Sequence, residues 1–157
     1  LEVWVRKTGN GTSRQRIFEL YNSNFGPADS HALIFETDNR LIGWLNDNSG
    51  SRTFELFSTT SLGTTTNWKH CVLTFNNSSG AKLYIDGILN NSNSSTMPSI
   101  SSIDGGIIGA ISDIGGNYSH TSYDFVGDVS ITKVYNRALT ATEIQQNYNA
   151  TKTRFGL

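Results

Sequence analysis

A single cysteine, Cys71, and two prolines, Pro27 and Pro98, are all that this 157-residue chain has of the residues that staple or sharply redirect small folds. One thiol closes no internal disulfide, so the fold must rest on a buried core, for which this length suffices. Cys71 sits in a strand-like run and reads as a small core residue rather than a reactive thiol. Charge is scarce too: 12 Lys and Arg face 13 Asp and Glu, 16% of the chain together. With no basic stripe to track phosphates, a nucleic-acid partner is excluded. No run approaches the roughly 20 apolar residues of a membrane span, and none has the shape of a signal peptide. Missing as well are a G-x-S-x-G elbow, a P-loop and a C-x-x-C pair. His31, His70 and His120 fall on separate elements without metal spacing. His70 reads as structural, His31 and His120 as solvated loop residues.

What the chain has in excess is hydroxyl and amide: 19 serines, 17 threonines and 16 asparagines. Seven N-x-[ST] triplets, beginning at Asn10, Asn76, Asn77, Asn90, Asn93, Asn117 and Asn149, mark polar loops. Between those loops lie short runs with period-2 alternation, the pattern of half-buried strands. Leu1 to Arg6 opens with Leu1, Val3 and Val5 on one face. Arg16 to Tyr21 follows, ended by a loop at Asn22 to Pro27. Ala32 to Thr37 and Arg40 to Leu45 flank Asp38-Asn39, which suits a tight hairpin because both residues tolerate left-handed geometry. After a polar turn from Asn46 to Ser51, Thr53 to Phe57 is a strand and Ser58 to Asn67 a threonine-rich loop. Trp68 to Phe75 and Lys82 to Leu89 are strands, with Asp86-Gly87 as a primed turn inside the second run. Asn90 to Pro98 reads as loop, Gly105 to Ile111 as a glycine-studded strand, and Asp113 to Ser122 as loop.

The closing stretch combines two periodicities. Tyr123, Phe125, Val129, Ile131 and Tyr135 share one face of a strand whose other face carries Asp124, Asp128, Ser130 and Thr132. The pattern then turns helical: Thr140 can cap the amide of Glu143 while Glu143 reaches back, and Leu139 can staple against Ile144. A helix to about Asn149 follows. Eight or nine strands and one terminal helix predict an all-β, two-sheet antiparallel sandwich.

Phe125-Val126-Gly127-Asp128-Val129, leading into Val134-Tyr135-Asn136-Arg137-Ala138-Leu139-Thr140 with Glu143-Ile144 behind, resembles the closing signature of the laminin-G-like (LamG) domains of the concanavalin A-like lectin/glucanase superfamily. Trp68-Lys69-His70-Cys71 with Thr74-Phe75, Leu83-Tyr84-Ile85-Asp86-Gly87, and Ile108-Gly109-Ala110 resemble its middle segments. The resemblance implies a concanavalin A-like jelly roll over residues 1–157, a single domain that lacks the family's first strand or strands. One of those strands usually lies beside the terminal strand. Its absence predicts an unpaired edge from Val126 to Val134, to be completed by upstream residues or a neighbouring subunit.

Related sandwiches include glycoside hydrolases with an E-x-D-x-x-E strand. Here Glu36-Thr37-Asp38 is followed at the third position by Leu41, so no catalytic residues are assigned and the expectation is a protein that is not an enzyme. Some LamG domains bind calcium at the rim; no cofactor is assigned, and Asp113 and Asp128 are the weak calcium candidates. Binding by such sandwiches uses aromatic rings against sugar faces and amides to hydroxyls. That makes Trp44, Asn46, Asn48, Asp113, Asn117 and Tyr118 the candidate ligand-binding residues, Trp44 first. The tail from Tyr148 to Leu157 is similar to versions of this module in tailed-phage virion proteins. The expected role is therefore a structural or attachment module, capsid-decorating or in a tail fibre, located on a virion or extracellularly. Its expected partners are other assembly subunits and a cell-surface glycan, and it is expected to be an oligomer without membrane insertion. The alternatives are a secreted carbohydrate-binding adhesin and, third, a hydrolase-like enzyme.

Overall fold

Strands with one apolar face need a second layer to cover it, and two five-stranded antiparallel sheets provide this here. The computed structural model describes residues 1–46, 53–64, 67–97, 102–112, 115–119 and 123–157. In chain order the elements are β1 (Glu2–Lys7), β2 (Gln15–Asn22), β3 (Gly26–Phe35), β4 (Arg40–Asn46), β5 (Thr53–Ser61), β6 (Lys69–Asn76), β7 (Gly80–Ile85) and β8 (Ile88–Asn93). They continue with β9 (Gly105–Ile108), β10 (Ile111–Ser112), β11 (Tyr118–Ser119), β12 (Gly127–Lys133), α1 (Ala141–Thr151) and a 3-10 turn, Lys152–Phe155. One sheet has the order β12-β1-β6-β7-β8, the other β5-β4-β3-β2-β9, and β10 and β11 form a separate small hairpin.

The inner faces interdigitate. Val3 and Val5 of β1, Cys71 and Leu73 of β6 and Leu83 of β7 meet Ile17, Phe18, Leu33, Phe35, Leu41 and Leu45 of the opposite sheet in one buried cluster. Cys71 is a core residue, and burial pushes its thiol well above the usual range. The two turn motifs differ in outcome. Asp86 and Gly87 have φ of 52° and 78° between the paired Ile85 and Ile88, the primed turn their sequence demands. The first hairpin is longer than the expected two residues. Phe35 pairs with Leu41, the Glu36 amide donates to the Arg40 carbonyl, and only Asn39 is left-handed, at φ 65°.

Several boundaries move because neighbours extend the ladders. β3 starts at Gly26, despite Pro27, since it pairs along β2 as far as Asn22. This corrects the placement of His31: it is a buried β3 residue on the inner face, its ring 4.1 Å from that of Phe75, and not a loop histidine. Burial, with a smaller contribution from the nearby α-amino group, lowers its pKa to about 3, so the ring is neutral. β5 and β8 run on into stretches that read as loops from composition. His120, and most of the polar turn after Asn46, lie outside the described residues.

The closing strand is shorter than its alternation suggests. Opposite Val3, β12 carries two residues, Ile131 and Thr132, and Ile131 takes φ 46°, a bulge in left-handed geometry that β-branched residues rarely adopt. The extra residue shifts the phase. Val129 packs on the inner core, whereas Tyr135 packs on the opposite side of the sheet with Val72, Tyr84, Leu139 and Ile144. Tyr123 lies outside the strand altogether. β12 is the outermost strand of its sheet, with β1 on one side and no strand on the other among the described residues.

Candidate functional site

Each sheet has an outer face, and the C-terminal segment decides which one is open. Thr140 and Glu143 form the expected capping box, reinforced by Arg137, whose guanidinium donates to Glu143 at 2.6 and 2.9 Å. The helix so started lies on the β1-β6-β7 sheet through Ile144 and Leu139. The following turn adds Phe155, stacked on Trp4 with ring centroids 4.1 Å apart. Beneath this cover Glu2 is fully buried. Its carboxylate accepts hydrogen bonds from Lys133 Nζ (3.0 Å), Tyr135 Oη (3.0 Å) and Asn147 Nδ2 (2.8 Å). His70 Nε2 stands 3.3 Å away without reaching hydrogen-bond geometry. Burial alone would raise the Glu2 pKa, but these polar neighbours outweigh it and hold it down at about 2. Trp4 Nε1 donates to Thr151 at 3.0 Å. That face is a structural seam, and His70 belongs to it.

Among the described residues no helix lies on the other sheet's outer face. β4 reads Leu41-Ile42-Gly43-Trp44-Leu45, apolar on both faces: Leu41 and Leu45 enter the core, while Ile42 and Trp44 join Ala32, Ile34 and Phe57 outside. On this second apolar surface lies a groove of about 390 Å³, bordered by Arg14, Arg16, Ile34, Trp44, Asn46, Ile111 and Tyr123. The guanidinium carbons of Arg14 and Arg16 sit 5.3 and 5.6 Å from the Trp44 ring centroid, within cation–π range. Trp44 is half-buried, and its indole N–H meets no partner among the described residues.

The arginines are themselves held. Arg14 Nε donates to Glu36 at 2.8 Å and its Nη1 to Glu55 at 2.6 Å; Arg16 Nη1 donates to the fully buried Glu19 at 3.1 Å. Burial lowers the pKa of Arg14, and the two carboxylates more than reverse this; for Arg16 burial prevails. Burial would raise the Glu36 pKa, but the Thr37 amide and Arg14 bring it below its ordinary value. A larger cavity, about 610 Å³, opens at the end of the sandwich beside Leu1, His31, Thr74, Phe75 and Asn76. Of its two aromatic rings, Phe75 is packed on His31 and Tyr135 belongs to the Glu2 cluster, so it offers no comparable platform.

Of the expected ligand residues, the structure brings Trp44 and Asn46 together in the groove. Asn117 and Tyr118 belong to the β10–β11 hairpin region, of which Ile111 borders the groove among the described residues, and Tyr118 Oη donates to Asp124 at 2.7 Å. Asn48 and Asp113 lie outside the described residues. Asp128 faces Arg6 across the strand pair, 2.9 Å from its guanidinium, and no three His, Cys, Asp or Glu side chains gather into a metal site among the described residues. Arg14, Arg16, Ile34 and Ile111 are groove residues that sequence reasoning did not select, while Tyr123 was among the aromatic side chains it weighed. The doubly apolar β4 was the available signal, since a strand with Trp on its outer phase must have something to cover it or bind to it.

Comparison with known proteins agrees with this architecture. A family model described as Concanavalin A-like lectin/glucanases superfamily (Laminin_G_3) matches residues 1–145. By sequence, no curated protein matches significantly. Among solved structures, the CBM40 of Ruminococcus gnavus IT-sialidase aligns with a TM-score of 0.70 at 16% identity, covering 94% of this chain and 80% of that one. It has also been solved bound to α2,3- and α2,6-sialyllactose. A heptameric SAP-like pentraxin from Limulus polyphemus aligns with a TM-score of 0.64 at 19% identity, over 92% and 67% of the two chains. NanB sialidase from Streptococcus pneumoniae aligns with a TM-score of 0.68 at 18% identity, over 92% of this chain but only 23% of its own. At such identities the likeness is one of fold.

Proposed function

Because the chain belongs to the concanavalin A-like lectin/glucanase superfamily, we propose that it is a non-catalytic module that binds glycans in the Trp44 groove of its open sheet. The observation that carries this reading is the groove itself: a half-buried indole at the edge of a buried apolar cluster on the sheet's outer face, bordered by Arg14, Arg16 and Asn46. Sugars present an apolar C–H face and a rim of hydroxyls, so they match an aromatic platform with hydrogen-bonding walls. The carbohydrate-binding module among the structural neighbours supports the same reading.

The nearest approach to hydrolytic machinery is Glu36 and Glu55, which share one guanidinium. Glycoside hydrolases use paired carboxylates about 5–9 Å apart, one of them protonated to act as acid. Arg14 contacts both glutamates, and the Glu36 pKa is lowered rather than raised, so Glu36 carries no proton to give. The pair therefore works as a clamp on Arg14. The test is a glycan-array screen followed by titration of the best ligand into the wild type and Trp44→Ala. A loss of about tenfold in affinity, equivalent to about 1.4 kcal/mol, is expected from removal of the platform. Failure of the wild type to bind any glycan, or full binding by the variant, would overturn the reading.

For the wider setting we propose a capsid-decorating or tail-fibre module, on the resemblance of the closing segment to such modules and on nothing else. A heptameric pentraxin among the structural neighbours is compatible with assembly. Light-scattering mass in solution tests it: a stable oligomer is expected, and a strict monomer at high concentration counts against it.

A further inference from the structure

Resting on the glycan reading above, we infer that the Trp44 groove selects uncharged sugars and rejects those bearing a carboxylate. Arginines beside an aromatic ring suggest an anion receptor, since a guanidinium matches a carboxylate with two parallel N–H bonds. Here Arg14 is already engaged through all three of its nitrogens and Arg16 through one. Glu55 takes two nitrogens of Arg14, at 2.6 and 3.5 Å, and Glu36 takes the third at 2.8 Å. Arg16 is bound by Glu19, and Arg40, over the neighbouring Phe57 ring, by Asp38.

Location makes these carboxylates matter to a ligand. Glu55 pairs directly across the strands with Trp44, so both lie on the same face of the sheet. Its side chain remains 26% exposed, and that of Glu36 17%. Among the described residues Arg14, Arg16 and Arg40 each already hold an acidic partner, so an incoming carboxylate would have to displace one of the protein's own or sit against it.

For a neutral sugar the same arrangement is favourable. A guanidinium has five N–H donors, and Arg14 spends three on its two glutamates. Donors remain for one hydroxyl, while Glu55 and Glu36 can accept from its neighbour. A pair of adjacent hydroxyls is thereby bridged between donor and acceptor with no net charge transferred to the site. Glu55 is the specificity-determining residue in this account, because it both occupies Arg14 and stands beside Trp44.

The test compares neutral glycans with counterparts that differ only by a terminal sialic or uronic acid, first on an array and then by titration. The wild type is expected to bind the neutral member at least tenfold more tightly. Glu55→Gln is expected to erase most of that preference by freeing Arg14 and removing the adjacent negative charge. Glu36→Gln, at the groove's margin, provides a second variant should the first not fold. Tighter binding of the acidic member by the wild type, or a preference unchanged in both folded variants, overturns the inference and leaves the glycan reading standing. Binding of no glycan at all overturns both.

Discussion

Replacing Glu2 by Gln tests the account of the covered sheet face, and the magnitude follows from the carboxylate's surroundings. Glu2 is fully buried and accepts from Lys133, Tyr135 and Asn147. Its pKa falls from an ordinary 4.5 to about 2, because His70 at 3.3 Å, with Lys133, Asn147 and Tyr135, outweighs the cost of burial. A depressed carboxylate pKa contributes stability that is fully present above the unfolded value and is lost as pH falls through the folded one. The window is therefore from about pH 5 down to about pH 2. At roughly 1.4 kcal/mol per pH unit the contribution is about 3 kcal/mol, in line with the cost of breaking a buried ion pair. Urea unfolding followed by tryptophan fluorescence reads it directly, since Trp4 and Trp68 both pack on Phe155 in this region. Glu2→Gln should lose about 3 kcal/mol at pH 7 with an unchanged urea slope, and the gap to the wild type should close as pH falls toward 2. Comparing the two proteins cancels the acid titration of every other carboxylate. A gap that stays constant across this range, or is below about 1 kcal/mol at pH 7, would refute the reasoning.

Other outcomes follow from single positions. Gly127→Ala places a methyl 2.2 Å from the Arg6 carbonyl oxygen, so β1 and β12 must part locally; a loss of about 1–3 kcal/mol in urea unfolding is expected, and a neutral result would mean that the edge strand yields freely. Thr140→Ala removes the hydroxyl that accepts from the Glu143 amide at 3.3 Å. It should cost about 1 kcal/mol, seen as a lower thermal midpoint with the β-rich circular dichroism retained.

How far the sequence reaches differs between fold and site. The strands, the Asp86-Gly87 turn and the Thr140–Glu143 cap were legible because each depends on residues close together in the chain: alternation, positive φ and a three-residue capping spacing. Period and turn chemistry thus sufficed for a two-sheet sandwich with one terminal helix. Gly127 in the closing signature was legible as a motif, and its cause, the Arg6 carbonyl, appeared only with the pairing of β12 on β1. Trp44 was named as a candidate from the resemblance, as an aromatic ring outside the obvious core positions.

What only tertiary structure decided are the relations between distant segments. His31 reads as a loop residue from Pro27 and Asp29 nearby, but ladder bonds to β2 carry it into the core. Alternation placed Tyr123 on the inner face of the last strand, whereas the ladder begins at Gly127 and Tyr123 borders the groove. The bulge at Ile131 moved Tyr135 across the sheet, because one extra residue inverts every side chain beyond it. Arg14, Glu36, Glu55 and Trp44 come from four separate stretches, and no local pattern announces that they meet. Sequence alone determined that this chain folds as a β-sandwich, through alternation, turn chemistry and the helix cap. Packing determined that the C-terminal helix seals one sheet over Glu2, so that the groove with Trp44 and its clamped arginines lies on the sheet that no described helix covers.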